Sequence, residues 1–453
     1  MTQDLTAGKE GRVMLRFALP LIAGDLFQQL YNIADTIIVG RYLGPDALAA
    51  VGSSFAVMTF LTSILLGLCM GASVLFSQLF GARETSLLKH SVWTAFVFTG
   101  GFTLVLNLLA VWGTDGILTF LNTPAEIFSL TKDYLLVIFY GMSFTFLYNF
   151  FSSLLRSVGN SVAPLLFLIL SALLNIGLDI LFIASFRMGI AGAAWATIAA
   201  QGLSGLVTAA YCFIKLPFLR WKRGELKITG QMLRKIASYS TATSIQQSIM
   251  NFGILMVQGL VNSFGVAVMA AFAAAVKIDA FAYMPAQDFG NAFSIYIAQN
   301  TGARKADRIH RGSRIAFGIT LLFCLTASLA VAVFARPLMT IFIPPEETLI
   351  LDYGVGYLRI VACFYCLIGF LFLFYGYFRG LGRTGVSILL TIISLGLRVA
   401  VAYLFAPPLG VTLIWWAIPI GWLAADLVGL LFLRRNPPSF TPAPSVHEGK
   451  VSL

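Results

Sequence analysis

Ala47 to Ala82 contains no charged side chain, and neither do Ser91 to Gly113, Tyr134 to Leu155 or Met188 to Ile214. Each stretch meets or exceeds the ~20 apolar residues that cross a bilayer as a helix. Lipid offers the backbone no hydrogen bonds, so such spans must satisfy their own, and helices do. Of the residues, 58% are hydrophobic and 11% charged, too little charge to cover a soluble domain. The chain is therefore read as an all-α polytopic membrane protein. Spans are expected near 14–40, 47–79, 91–112, 132–155, 162–185, 191–214, 236–262, 267–299, 313–335, 353–378, 384–406 and 411–433. The polar start "MTQDLTAGKEGR" precedes a run too long for a signal h-region and without a small-residue cleavage site. That run is read as the first of twelve transmembrane helices.

The net charge of +11 does not point to nucleic acid, because of where it lies. With the N-terminus inside, inner loops and tails hold about 23 of the 30 Lys and Arg, and outer loops about five. The densest inner runs are Lys215 to Lys227 and Gly302 to Arg314. This positive-inside bias places both termini in the cytoplasm of a multi-pass protein of the cell (inner) membrane.

The sequence also repeats itself. "GPDALAA" (Gly44 to Ala50) returns as "GVAVMAA" (Gly265 to Ala271), and "SVLFSQLFGAR" (Ser73 to Arg83) as "SIYIAQNTGAR" (Ser294 to Arg304). "RSVGNS" (Arg156 to Ser161) answers "RGLGRT" (Arg379 to Thr384), and "GIAGAAWA" (Gly189 to Ala196) answers "GVTLIWWA" (Gly410 to Ala417). Four matches in order, at a nearly constant shift, mean two homologous halves. The reading is an N-terminal six-helix lobe (10–214), a basic cytoplasmic linker (215–235), a C-terminal six-helix lobe (236–435) and a cytoplasmic tail (436–453). Six spans return the chain to its starting side, so the two bundles are pseudo-twofold related about the membrane normal, with a substrate cavity between them. Prolines inside spans, including Pro20, mark kink sites, and Pro20 is the expected hinge.

Within the first span, Asp25, Gln28 or Gln29, Asn32 and Asp35 step by three or four residues. They form one polar stripe on an otherwise apolar helix. A mid-bilayer Asp costs about 2.5–3.5 kcal/mol on insertion scales, so it persists only facing inward, with partners or a proton. In the fifth span Asn175 and Asp179 share a face, and the sixth adds Thr197. Asp35, Asn175, Asp179 and Thr197 all offer oxygens, which suit a proton or a hard monovalent cation such as Na+ rather than a soft metal. No Lys or Arg in the mid-regions of these spans neutralises the two acids, so a proton must be shared or a cation must bind. No cofactor is expected.

The second half lacks this set. Asn175 answers to Arg398, Asp179 to Ala402 and Thr197 to Ile418. Its spans hold Lys277, Asp279, Arg398 and Asp426 instead. Arg398 is expected to bind an anionic group or an acid across the cavity. The "CFYC" of Cys363 and Cys366 sits in a span without a second ligand pair and is read as packing. The histidines assemble no zinc site.

"LYNIADTIIVGRYLGPDALAAVG", "NIGLDILFI", "GIAGAAWATIAAQ" and the repeated "GAR" together resemble the multidrug and toxic compound extrusion (MATE) family, in its prokaryotic DinF-like branch. The likeness covers roughly residues 10 to 435. It implies a MATE-like fold and secondary antiport: efflux of amphipathic, often cationic drugs or xenobiotics in exchange for H+ or Na+. The cation site of that branch falls on Asp35, Asn175, Asp179 and Thr197. One departure is Ile180, where the family often has proline after the fifth-helix Asp, so a less bent fifth helix is expected. Gln28, Tyr31, Asn32, Tyr140, Tyr148 and Arg398 are the expected cavity lining, the tyrosines as stacking surfaces for cations. The protein is expected to act as a monomer. The alternatives are a lipid-linked oligosaccharide flippase of the same superfamily and an intramembrane enzyme, for which no H-E-x-x-H or nucleotide loop is present.

Overall fold

The computed structural model describes residues 3–121, 123–220 and 228–435. The middle of the basic linker and the tail from residue 436 lie outside the described residues. The long apolar stretches fold as helices: α1 (Glu10–Leu43), α2 (Pro45–Gly81), α3 (Thr85–Trp112), α4 (Ala125–Tyr140 continued by Met142–Ser157), α5 (Val162–Asp179) and α6 (Gly189–Lys215). The second half repeats the pattern with α7 (Gly230–Asn262), α8 (Val266–Gly302), α9 (Ala306–Val333), α10 (Thr348–Ala362 continued by Tyr365–Gly380), α11 (Thr384–Leu409) and α12 (Thr412–Arg435). Every expected span coincides with one of them. The fold is an all-helical polytopic membrane protein.

Nine of these helices are individually long and apolar enough to cross a membrane, and the bent α4 and α10 raise the number to eleven. The twelfth, α7, is as long but more polar. Its Ser240, Thr243, Ser244 and Gln246 are buried rather than turned to lipid. They pack on α2, where Gly67 and Gly71 leave room: a Cβ on Gly67 would lie 2.4 Å from the Ser244 Cα. This G-x-x-x-G spacing lets two helix backbones approach closely. α4 and α10 break at equivalent places, by 46° after Tyr140 and by 54° after Ala362. At the first break Gly141 is pressed against Ile198, and at the second Cys363 is exposed, not packed in a core as its apolar span suggested. Cys366 is half-buried, and both thiols are free.

Two helices are divided between the lobes. In α1, Val13, Met14, Phe17, Ala18 and Leu21 belong to the core built by α8 to α12, whereas Val39 packs with Ala47, Tyr134, Ile183 and Ala193 of the first half. Pro20 lies near the crossover. α7 does the reverse: Ile236 packs in a first-half core, and Val257, Leu260 and Val261 in the second-half core. The pseudo-twofold relation thus exchanges half a helix in each direction.

The face bearing the loops 82–84, 158–161, 303–305 and 381–383, called the basic face below, is closed by a reciprocal clasp. Gln78 Nε2 donates to the Gly380 carbonyl at 3.0 Å, and Gln299 Nε2 to the Ser157 carbonyl at 2.8 Å. A Cβ on Gly81 would sit 1.9 Å from the Gln299 carbonyl oxygen, and one on Gly302 1.8 Å from that of Gln78. Only glycine permits this crossing, which explains the glycine of the repeated "GAR". The segment before α1 completes the seal. Gln3 N–H donates to the Gly159 carbonyl, while Lys305 Nζ and Arg308 Nη1 donate to the Thr6 and Gly8 carbonyls, each at 2.8 Å. Burial raises the Asp4 carboxyl there. Hydrogen bonds from the Thr6 hydroxyl and N–H, with Arg83 and Lys305 nearby, nevertheless hold it below its ordinary value. Farther along the two helices, Ser244 Oγ of α7 donates to the Ile64 carbonyl of α2 at 3.1 Å.

Overpacking a tight crossing costs about 1–3 kcal/mol. Gly302→Val is therefore expected to part the basic face. A reporter Ser157→Cys, in a background without native cysteines, should react about tenfold faster with an impermeant maleimide in that variant. Unchanged reactivity would mean that the crossing does not hold the face shut.

Candidate cation site

The polar stripe of α1 divides between two places. Asp35, at the half of α1 that packs on the first lobe, is in side-chain hydrogen-bond contact with Asp179 at the end of α5. Two carboxyl groups at that separation need a proton between them, or a cation beside them, since like charges in a low dielectric repel strongly. Asp179 and Asn175 are fully buried, at 0% and 1% exposure, and Asp35 is half-buried.

Asn175 links the parts. With its amide turned to suit its neighbours, Nδ2 donates to Asp179 Oδ2 at 2.7 Å and to Tyr31 OH at 3.2 Å, while its carbonyl accepts from Thr197 N–H at 3.0 Å. Turned the other way, Nδ2 reaches Thr197 Oγ1 at 3.3 Å. Thr197 also donates to the Ala193 carbonyl of its own helix at 3.1 Å, as threonines in helices do. Asp35 Oδ1 and Asp179 Oδ1 are both buried with no hydrogen-bond partner. Buried polar atoms are rarely left so, and an orphaned oxygen on each of two adjoining carboxyl groups is what a proton or a small hard cation would satisfy. Among the described residues, no Lys or Arg pairs with either acid, and no three His, Cys, Asp or Glu gather as a metal cluster.

All four residues expected at the site are therefore brought together. Tyr31 joins them, at the charges of Asp35 and Asp179 and against Thr197, instead of standing apart as a cavity aromatic. Tyr134 of α4 was not anticipated. It is buried in the core with Val39 and Ile183, within reach of the charges of Asp35 and Asp179. A signal existed: Tyr134 answers to Tyr357 at the repeat shift, and Tyr357 contacts an acid too. Gln28 is exposed and Asn32 half-buried on the same helix. Tyr140 is 60% exposed at the bend of α4, and among the described residues no polar contact ties it to the site. Tyr148 belongs elsewhere, its hydroxyl 3.3 Å from the Pro164 carbonyl and close to Arg156 and Asp25.

The fifth helix lacks that proline but is not regular to its end. Directly after Asp179 it widens into a π-helix, Ile180–Ser185. Such wide turns free a carbonyl and often mark functional positions, so the irregularity is present by another device.

The second lobe holds a different network. Asp279 accepts from Tyr357 OH at 3.0 Å and from Tyr365 OH at 2.5 Å, and Arg398 lies beside it. Among the described residues no salt bridge within 4.0 Å joins Arg398 to Asp279, and its Nε has no hydrogen-bond partner. Lys277 stands 5.9 Å over the Phe342 ring. Asp426 is 8% exposed with neither carboxyl oxygen partnered.

The model of one family, described as MatE, matches this chain twice, over residues 20–181 and 242–404. The chain belongs to the MatE family. The two matched segments are the two halves of the repeat, and membership makes the chain a membrane transporter, not an enzyme. Among relatives, the probable multidrug resistance protein YoeA of Bacillus subtilis (strain 168) is 28% identical over 443 residues, 96% of this chain and 94% of that one. The probable multidrug resistance protein YpnP of the same organism is 28% identical over 439 residues, 95% of this chain and 96% of that one. A solved structure described as the outward-facing conformation of a multidrug resistance MATE family transporter of the MOP superfamily superposes with a TM-score of 0.89. It is 25% identical, covering 96% of this chain and 97% of that one.

Asn175→Ala leaves Asp179 Oδ2 and Tyr31 without their shared donor. Losing a buried hydrogen-bond partner costs about 1–3 kcal/mol. The variant is expected to melt a few degrees lower in detergent and to lose the stabilisation that added Na+ or acid gives the parent. A variant stabilised by both to the parent's extent would remove Asn175 from the site.

Proposed function

We propose that this protein is a secondary multidrug efflux antiporter that exports amphipathic, often cationic compounds in exchange for H+ or Na+ by alternating access. The observation that carries the coupling is the carboxyl pair Asp35 and Asp179, buried in contact with one orphaned oxygen on each. A site built this way has a vacant bonding capacity for one small cation. Its surroundings, Asn175, Thr197, Tyr31 and Tyr134, supply oxygen and hydroxyl groups and no positive charge. The same residues support placement in the DinF-like branch. The names of the Bacillus subtilis relatives support drug-like cargo.

The proposed cycle follows from the division of α1. The basic face is read as cytoplasmic from its charge; since it is closed in this conformation, the cavity is proposed to open outward. From outside, a proton or Na+ loads Asp35 and Asp179 and removes their repulsion. α1 then repacks about Pro20 against α5 and α6. Because its other half lies in the second-lobe core, the shift loosens the inter-lobe packing. The drug leaves outward, the basic face opens, and the cation departs to the cytoplasm. The ion biases the equilibrium only by binding one state more tightly than the other.

Asp35→Asn and Asp179→Asn, each reconstituted in proteoliposomes, should lose drug efflux driven by separately imposed pH and sodium gradients, while counterflow of drug without a gradient survives. Gradient-driven efflux unaltered in both variants would refute the coupling role. The gradient that drives the parent identifies the ion.

A further inference from the structure

A second carboxyl pair lies where the lobes meet. Asp25 of α1 is in side-chain hydrogen-bond contact with Asp288 of α8. Asp288 is 5% exposed, and its Oδ2 has no hydrogen-bond partner. Around the pair stand Arg156 and Tyr148 from α4, and Asn291 and Ser294 of α8 with Arg379 from α10. α2 packs against α8 but presents no charged group in its length beyond Asp46 at its far end.

The two arginines do not neutralise the acids directly. Arg379 is committed to Ser294 Oγ at 3.1 Å and Asn291 Oδ1 at 2.8 Å, and Asn291 in turn bonds to Asp288. Among the described residues, no salt bridge within 4.0 Å joins Arg156 or Arg379 to either acid, and the Arg156 Nε is itself unpartnered. Two carboxyl groups in contact carry no hydrogen of their own when ionised, so the buried, unpartnered Oδ2 of Asp288 has room for a proton between the pair.

We propose that Asp25 and Asp288 form a proton-binding site assembled from both lobes, which exists only while the basic face is closed. One proton is shared when the clasp of Gln78 and Gln299 shuts. When the lobes part, the carboxyl groups separate into water and the proton is released on the same side from which it came. The site therefore moves no net charge across the membrane. It makes closure of the basic face depend on the pH at that face. Binding of the proton favours closure, so rising pH, which removes it, favours opening. This is independent of the Asp35 and Asp179 pair, whose proton or Na+ is proposed to cross.

The test uses full-length protein in lipid nanodiscs, native cysteines replaced, with nitroxides at Ser86→Cys and Asp307→Cys on the two sides of the basic face. Pulsed electron resonance across a pH series reads the open-to-closed ratio. In the parent the ratio is expected to rise with pH by up to about tenfold per unit, the limit for one proton. Asp25→Asn and Asp288→Asn keep a neutral hydrogen bond, so both should stay closed at high pH with a flat profile. Asp426→Asn, which removes an unpartnered acid of α12 outside both pairs, should keep the parent's slope, and a flat profile there would overturn the assignment to Asp25 and Asp288. A slope retained in both Asp25→Asn and Asp288→Asn overturns the proposal. So does a face open at every pH in both, which would mean that the acids act by ion pairing with Arg156 and Arg379. Should either variant not fold, the parent still decides, since a flat profile in it overturns the proposal.

Discussion

A helix whose two halves pack in different cores cannot shift at one end without straining the other. α1 is such a helix, with Val13 to Leu21 in one lobe and Val39 in the other. Protein interiors are packed to crystal density, so small displacements are passed on and not absorbed. In the proposed cycle, a change of charge at Asp35 would be passed to Phe17 through continuous covalent and packed structure. α7 makes the complementary exchange, which gives each lobe a lever rooted in its neighbour. The placement of the acids on α1, and not on a helix confined to one bundle, makes mechanical sense on this ground.

Most of the architecture was legible because lipid imposes simple rules. Long charge-free runs gave the helices, the repeat gave the two halves, and i to i+4 spacing put Asn175 and Asp179 on one face. What spacing does not contain is the neighbour that a face meets. Gln28 and Asp35 share the α1 stripe, yet the first is exposed and the second is in the site. Asp25 lies on the same stripe and meets a different lobe. Tyr134 escaped notice because a single tyrosine near a span end has no local signature. The polar content of α7 concealed its burial, since hydropathy cannot tell a helix facing water from one facing a partner helix.

Asp288 shows the same limit from the other side. An acid inside an apolar span is a functional hypothesis by default, but its partner sits 263 positions earlier in the chain, on a helix of the other half. No periodicity links residues so far apart. The Ile180 position shows another limit: a π-helix follows Asp179 there, and no residue type in the sequence announces it. The second lobe kept acids but surrounded them with tyrosines and Arg398, so duplication preserved the frame while the chemistry of the two sides diverged.

The paired glutamines bear on how the molecule moves. Each grips a carbonyl of the opposite lobe, and the two grips sit on either side of one crossing point. Releasing one alone would leave the other as a pivot under tension, with Gly81 or Gly302 still jammed against backbone. Both must let go together. Parting of the lobes is then a concerted event with a single barrier, and a half-unfastened molecule, leaking ions through a gap on one side, has nowhere stable to rest.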